Sequence, residues 1–191
     1  MTTTRSEIIL AEVRGDVLSL IEHLGHADAS IRSLALGSMD RIAELADDQL
    51  EDALDDPNRD VRCRAIELAV PRDQIRLVQL LDDPDDLVVE TAAWALGERE
   101  SNSAEVIAWL VEVGIHHDVS ICREAAIAAL GAIGDESGLP AILAGLEDRA
   151  PVRRRAVLAL APFDSPEVTD ALERAAQDRD RQVRQAAEDL L

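Results

Sequence analysis

Lysine is missing from this 191-residue chain, so the 19 basic side chains set against 39 carboxylates are all arginine and the formal charge is −20. Phosphate contact dominates nucleic-acid affinity and needs a basic groove. The only basic cluster here is Arg153-Arg154-Arg155, so nucleic acid is not an expected partner. A lysine-free acidic surface fits a halophile or a GC-rich genome, and its expected role is solvation. Tyrosine is also missing, with one Phe and two Trp, which leaves an aliphatic core and no aromatic platform for stacking bases. Apolar runs are too short to span a membrane, and residues 1–14 lack the pattern of a secretory signal. Cysteine is reduced to Cys63 and Cys122, on second helices two repeats apart and beyond disulfide reach. Both read as small helix residues in a reducing compartment, and the expected location is the cytoplasm. Gly-x-Ser-x-Gly, P-loop and Gly-x-Gly-x-x-Gly motifs are absent, and carboxylates are too many for spacing to single out a catalytic pair. An enzyme is not expected.

What the chain does contain is repetition. A β-branched residue is followed four positions later by alanine at Ile31/Ala35, Val61/Ala65, Val88/Ala92, Ile121/Ala125, Val152/Ala156 and Val183/Ala187. The anchors are separated by 30, 27, 33, 31 and 31 residues. A fixed period near thirty marks one supersecondary unit copied along the chain, a stack of helical hairpins.

The fourth copy shows the plan. Residues 104–113 read as an apolar first helix closed by Gly114, His116-His117-Asp118 as the turn with Asp118 as cap, and residues 119–131 as the second helix. Ala125 is small so that neighbouring helices can approach. Asp55-Asp56-Pro57 and Asp82-Asp83-Pro84 break the first helices of copies two and three, with Asp60, Asp86 and Asp180 available to cap the helices that follow. Pro71, Pro162, Gly97 and Gly131 are read as second-helix ends. With no alternating run long enough for a strand, the chain is expected to be all-α.

The second-helix segments Val61-Arg62-Cys63-Arg64-Ala65, Val152-Arg153-Arg154-Arg155-Ala156 and Val183-Arg184-Gln185-Ala186-Ala187 carry the first half of a known pattern. Residues 92–97 and 125–131, each ending in Ala-Leu-Gly, carry the second. These segments resemble the HEAT-like repeat family in its short, phycobilisome-lyase-type form. The resemblance spans about residues 16–191. It implies a right-handed α-solenoid of about six hairpins as a single domain over 16–191. For function it implies a range: scaffolds, chromophore lyases and assembly factors. A solenoid needs polar caps, and residues 1–15, of which 5–14 read as an extra helix, are expected to cap the first hairpin.

Second helices are expected to line the inner, concave face, where the position two after the central alanine points away from the core. That column reads Gly37, Glu67, Trp94, Ile127, Leu158 and Asp189. Trp94, Ile127 and Leu158 would form an apolar ladder for a protein or peptide partner, flanked by Arg123 and Arg154. The leading expectation is a non-enzymatic binding scaffold. An accessory or lyase-like subunit acting on a tetrapyrrole or other protein-bound cofactor is the alternative, and a HEAT-like DNA glycosylase a remote one. The arginines after the anchors, Arg32, Arg62, Arg153 and Arg184, recur with the repeat and so read as structural, with Asp28, Asp55 or Asp56, Asp148 and Asp178 as partners. In this register Val89 and Cys122 replace that arginine in copies three and four.

His116, His117, Asp118 and Cys122 offer too few convergent ligands for a metal, and no histidine is followed by the glutamate of the di-iron hydroxylases. No metal or cofactor is expected. The last helix ends without a distinct cap, which allows a homodimer through the C-terminal end.

Overall fold

Seven helix starts in this protein are set by short polar side chains. In the computed structural model, which describes residues 4–191, Asp16, Asp28, Asn58, Asp85 and Asp180 each accept a backbone N–H from the first turn of the helix they open. Ser103 and Ser165 do the same. This is ordinary N-capping, worth about 1 kcal/mol per site. Asp60 and Asp86, expected as caps, lie inside the first turn instead; Asn58 and Asp85 take that place because their backbones are extended while those of Asp60 and Asp86 are already helical.

The chain divides into two compact units, residues 1–76 and 77–191. The first contains α1 (Thr4–Arg14), α2 (Val17–Leu24), α3 (Ala29–Arg41), α4 (Asp47–Leu54) and α5 (Arg59–Ala69). Helices α2/α3 and α4/α5 form two hairpins whose second helices pack on one another, and α1 packs on α2 and α3. Its core is Ile8, Leu20, Leu36, Met39, Leu50, Ile66 and Ile75. Glu12 ties α1 to α3 by accepting from Arg41 Nε and Nη2 at 2.7 and 2.6 Å and from the Ser38 hydroxyl at 2.7 Å. The bonds from Arg41, then Ser38, pull the Glu12 carboxyl down to about 2.

The second unit begins with a 3-10 turn, Val78–Asp82, standing where a first helix would be; Pro84 follows it. Then come α6 (Asp86–Glu98), α7 (Ala104–His116), α8 (Ser120–Ile133), α9 (Leu139–Gly145), α10 (Ala150–Ala159), α11 (Pro166–Ala175) and α12 (Arg181–Glu188). The second helices α6, α8, α10 and α12 pack in succession, while α7 and α9 pack together on the other side of α8. Among the described residues there is no strand, and no helix is long and apolar enough to cross a membrane.

Two glycines prove to be contacts and not helix ends. Gly97 and Gly131 lie within α6 and α8. A Cβ on Gly97 would stand 2.9 Å from the Ala129 Cα, and one on Gly131 would stand 2.7 Å from the Ala159 Cα. The second helices are thus pressed together backbone to backbone, and only glycine fits. Gly134, with φ of 69°, ends α8 in the left-handed region. Gly114, expected to close α7, is buried inside it, and α7 continues to His116.

Candidate functional site

The fourth repeat is displaced by one residue from the expected register. Ile121 is 44% exposed, whereas Cys122 and Ala126 are fully buried, so the anchor pair is Cys122/Ala126. Cysteine here serves as a small apolar anchor. Burial, then the Asp86 and Glu90 charges, pushes its thiol up to about 11.

This shift reassigns two expected site residues. Ile127 moves into the core at 0% exposure, where its side chain fills the space left by Gly114 of α7 and Gly145 of α9. It cannot meet a partner. Arg123 joins the arginine column that Cys122 was expected to interrupt. The column two after the central alanine therefore reads Trp94, Ala128 and Leu158 across α6, α8 and α10, with Trp94 45% and Leu158 38% exposed. Arg154 is exposed on α10 and makes no hydrogen bond or ion pair among the described residues.

The arginine column is a series of clamps. Arg32, Arg123 and Arg153 each send Nε and Nη2 to the two carboxylate oxygens of Asp56, Asp148 and Asp178 in the next hairpin's turn, at 2.6–2.8 Å. Nη1 of Arg32, Arg123 and Arg153 donates to a carbonyl in its own turn, from His26, His117 and Asp148 respectively, at 2.6–2.8 Å. Arg62 and Arg184 make the same carbonyl bond, to Asp56 and Asp178. Each such aspartate also accepts from a backbone N–H just after it. The bonds from Arg123 and Arg153 hold Asp148 and Asp178 below the usual carboxylate range. Burial pushes Asp56 up more than any other single influence, but the Arg32 bonds, the Asn58 N–H and the Arg32 and Arg62 charges together outweigh it and the net direction is down. Asp28, an expected partner, is instead the cap of α3.

Histidine occupies the same turn position at His26 and His117, where no upstream arginine is offered. His26 opens the first hairpin, and His117 follows α6, whose column residue is the buried Val89. An aspartate there would lack its cation. His26 and His117 instead accept the N–H of Asp28 and Val119 on Nδ1, at 3.0 and 3.1 Å.

That bond bears on the one grouping with metal-ligand chemistry. Asp86, His117 and Cys122 bring one ligand atom each within 4.8 Å of one another. Because His117 Nδ1 accepts a backbone N–H, Nε2 carries the imidazole proton, facing Asp86 at 3.8 Å. A metal needs a ring lone pair, and neither nitrogen has one to offer without losing the turn. The Cys122 thiol meanwhile donates to the Asp86 carbonyl at 3.3 Å. The trio is a joint between α6 and α8. Asp118 takes no part, since Val119 holds the N-cap position of α8.

Within the second unit, α6, α8 and the near edge of α10 enclose a groove of about 420 Å³. Its floor is small and apolar, from Ala125, Ala128 and Ala132, and Trp94 and Ile121 stand beside it. Carboxylates of Glu90, Glu98 and Glu124 line it, with Arg155 3.6 Å from Glu124. Glu90 is half-buried and makes no hydrogen bond or ion pair among the described residues. Burial, then the Glu124 charge, raises its pKa. The groove therefore offers an apolar contact surface next to a carboxylate that has no cation partner among the described residues.

A model of HEAT repeats matches residues 48–131, 74–155 and 115–191, which overlap to cover most of the chain. The chain belongs to the HEAT repeat family. Among curated proteins, none matches it. Several solved structures share the fold of this HEAT repeat protein. A designed armadillo repeat protein in complex with the peptide (KR)4 is 20% identical, with a TM-score of 0.60 over 88% of this chain and 95% of that one. The complex of CpcE and CpcF of phycocyanin lyase from Nostoc sp. PCC7120 gives 24% identity and a TM-score of 0.61, covering 90% and 74%. An engineered protein gives 20% identity and a TM-score of 0.62, covering 91% and 94%.

Neither the groove nor the Arg123 clamp could be assigned from the helix pattern alone. Frames starting at Ile121 and at Cys122 both place an alanine four residues on. The signal that separates them is Arg123, which joins Arg32, Arg62, Arg153 and Arg184 only when Cys122 is the anchor.

Proposed function

We propose that this HEAT repeat protein is a binding scaffold whose α6/α8 groove takes a partner segment carrying a basic side chain next to an apolar one. The observation that carries this reading is Glu90. A half-buried carboxylate without a cation, held beside an exposed tryptophan, is stabilised by an arginine or lysine brought in from outside. Trp94 and Ile121 supply apolar area, and Trp is the residue type most enriched in binding hot spots. Leu158 and Arg154, on α10, extend this face. Ile127 and Arg123 are not contacts. The designed relative with a (KR)4 peptide offers a precedent within the fold for a basic ligand.

The alternative of a subunit acting on a tetrapyrrole draws on the likeness to the phycocyanin lyase complex. The acidic lining argues against it here, because propionate groups would face Glu90, Glu98 and Glu124. The glycosylase reading meets the same obstacle with phosphates.

The test uses tryptophan fluorescence in a Trp109→Phe background, so that Trp94 alone reports. Peptides pairing arginine or lysine with leucine should shift the Trp94 emission saturably, and added salt should weaken the effect. Glu90→Gln should weaken binding about tenfold by removing a charge-assisted bond, and Trp94→Ala by a similar factor, measured calorimetrically, with melting nearly unchanged. Binding untouched by both variants would move the site elsewhere, and no binding by any such peptide would overturn the proposal.

A further inference from the structure

The first unit carries a groove of opposite character, lined by three arginines. Between α1, α3 and α5 a groove of about 340 Å³ is lined by Arg5, Arg41 and Arg64, by Ser30 and Ser33, and by Gly37 at its floor. In a chain of formal charge −20, three guanidinium groups on one small surface are unexpected.

Gly37 shows how they converge. The point where its Cβ would stand lies 2.8 Å from Arg64 Nη2, 3.4 Å from Arg64 Nε and 3.2 Å from Arg41 Nη1. Two like charges thus face one point, and a side chain on residue 37 would displace them. Their other edges are engaged: Arg41 gives Nε and Nη2 to Glu12, and Arg64 gives Nη1 to Glu67 at 2.9 Å. The nitrogens that face the groove, Arg41 Nη1 and Arg64 Nε and Nη2, donate to no acceptor among the described residues. Arg5, on α1, makes no hydrogen bond or ion pair there either. Asp60, the one carboxylate lining the groove, lies 3.5 Å from Arg59.

Planar N–H forks that point at a common centre suit a ligand with several oxygen acceptors spread around one atom. Glu12 and Glu67 hold the two forks in place and reduce their mutual repulsion, while their remaining donors stay available. We infer that Arg5, Arg41 and Arg64 form an oxyanion-binding site over Gly37, selective for a phosphate- or carboxylate-type group. This site is independent of the α6/α8 groove and would stand if that proposal failed.

The experiment is a titration of the full chain, labelled with 15N in its arginine side chains, at constant ionic strength. Inorganic phosphate and acetate are added in separate arms, and the side-chain N–H signals are followed. The Arg64 and Arg5 signals should move saturably while that of Arg154 stays fixed. Gly37→Ala keeps every charge but pushes Arg64 off the centre, and should lower phosphate affinity about tenfold; Arg64→Gln should do at least as much. At Gly37 only the far ends of the Arg64 and Arg41 side chains must move to admit the new Cβ. Saturation by phosphate alone assigns the site to phosphoryl groups, and comparable saturation by acetate assigns it to carboxylates. The inference is overturned if neither anion moves the Arg64 and Arg5 signals, or if Gly37→Ala and Arg64→Gln bind phosphate as the wild type does.

Discussion

Asp178→Asn is the substitution that tests the clamp most directly. Arg153 has a side chain only 7% exposed, and its Nε donates to Asp178 Oδ2 at 2.8 Å while Nη2 donates to Oδ1 at 2.8 Å. Asp178 Oδ1 also accepts the Asp180 N–H at 2.7 Å, which fixes where an asparagine must keep its oxygen. The amide NH2 then replaces Oδ2 and meets the Arg153 Nε–H donor to donor. The buried guanidinium loses both a bond and its counter-charge. A broken pair of this kind costs about 3–5 kcal/mol when fully buried, and the partial exposure of Asp178 lowers the expectation to about 2–4 kcal/mol.

Urea denaturation at neutral pH measures the loss, and hydrogen exchange should place it in α12, which rests on α10 and α11. Arg153→Met/Asp178→Asn should recover part of it, because no unpaired charge remains buried. The folded-state pKa of Asp178 lies below its unfolded value, so the stabilisation is complete above the ordinary aspartate range near pH 4. It fades as pH falls through the folded value, and Asp178→Asn should flatten that fall. A change under about 0.5 kcal/mol, or no α12 effect, would refute the clamp as the tie between these repeats.

The core and its close contacts give further expectations. Gly131→Ala gains about 1 kcal/mol in helix propensity but places a Cβ 2.6 Å from the Ala159 Cβ and 2.7 Å from its Cα. Since backbone must move, a net loss of about 1–2 kcal/mol is expected by thermal melting, and Gly131→Ala/Ala159→Gly should not restore it fully, because the Ala159 Cα remains 2.7 Å away. Ile127→Ala should cost about 2–5 kcal/mol as a cavity, and Ile127→Asp should unfold the second unit by circular dichroism. A folded Ile127→Asp protein would return that residue to the surface.

How far the sequence speaks depends on the interaction concerned. The helical repeat was legible because packing small against β-branched residues recurs with the chain period. The aspartate partners at Asp56, Asp148 and Asp178 were legible for the same reason. The register of α8 was not: its dense apolar composition satisfies the helical period in two frames, and burial chooses between them. That one-residue ambiguity carried Ile127 onto the surface and Arg123 out of the clamp. Gly97 and Gly131 also misled, since glycine near a helix end signals a cap and a close approach equally well. The oxyanion groove rests on three helices and has no signature in any one of them.

Val89 has a consequence for how the second unit responds to its surroundings. The α8–α10 and α10–α12 joints are latched by ionised aspartates, whereas the α6–α8 joint carries a buried valine in that place and is closed by Gly97 against Ala129. Acid and salt act on latches of the first kind and leave van der Waals contact nearly untouched. The groove beside Trp94 is therefore built over a joint without such a latch, where the ionisable contact is the looser pair of His117 Nε2 and Asp86 at 3.8 Å. Losing the aspartate latches should loosen α10 and α12 before it widens this groove.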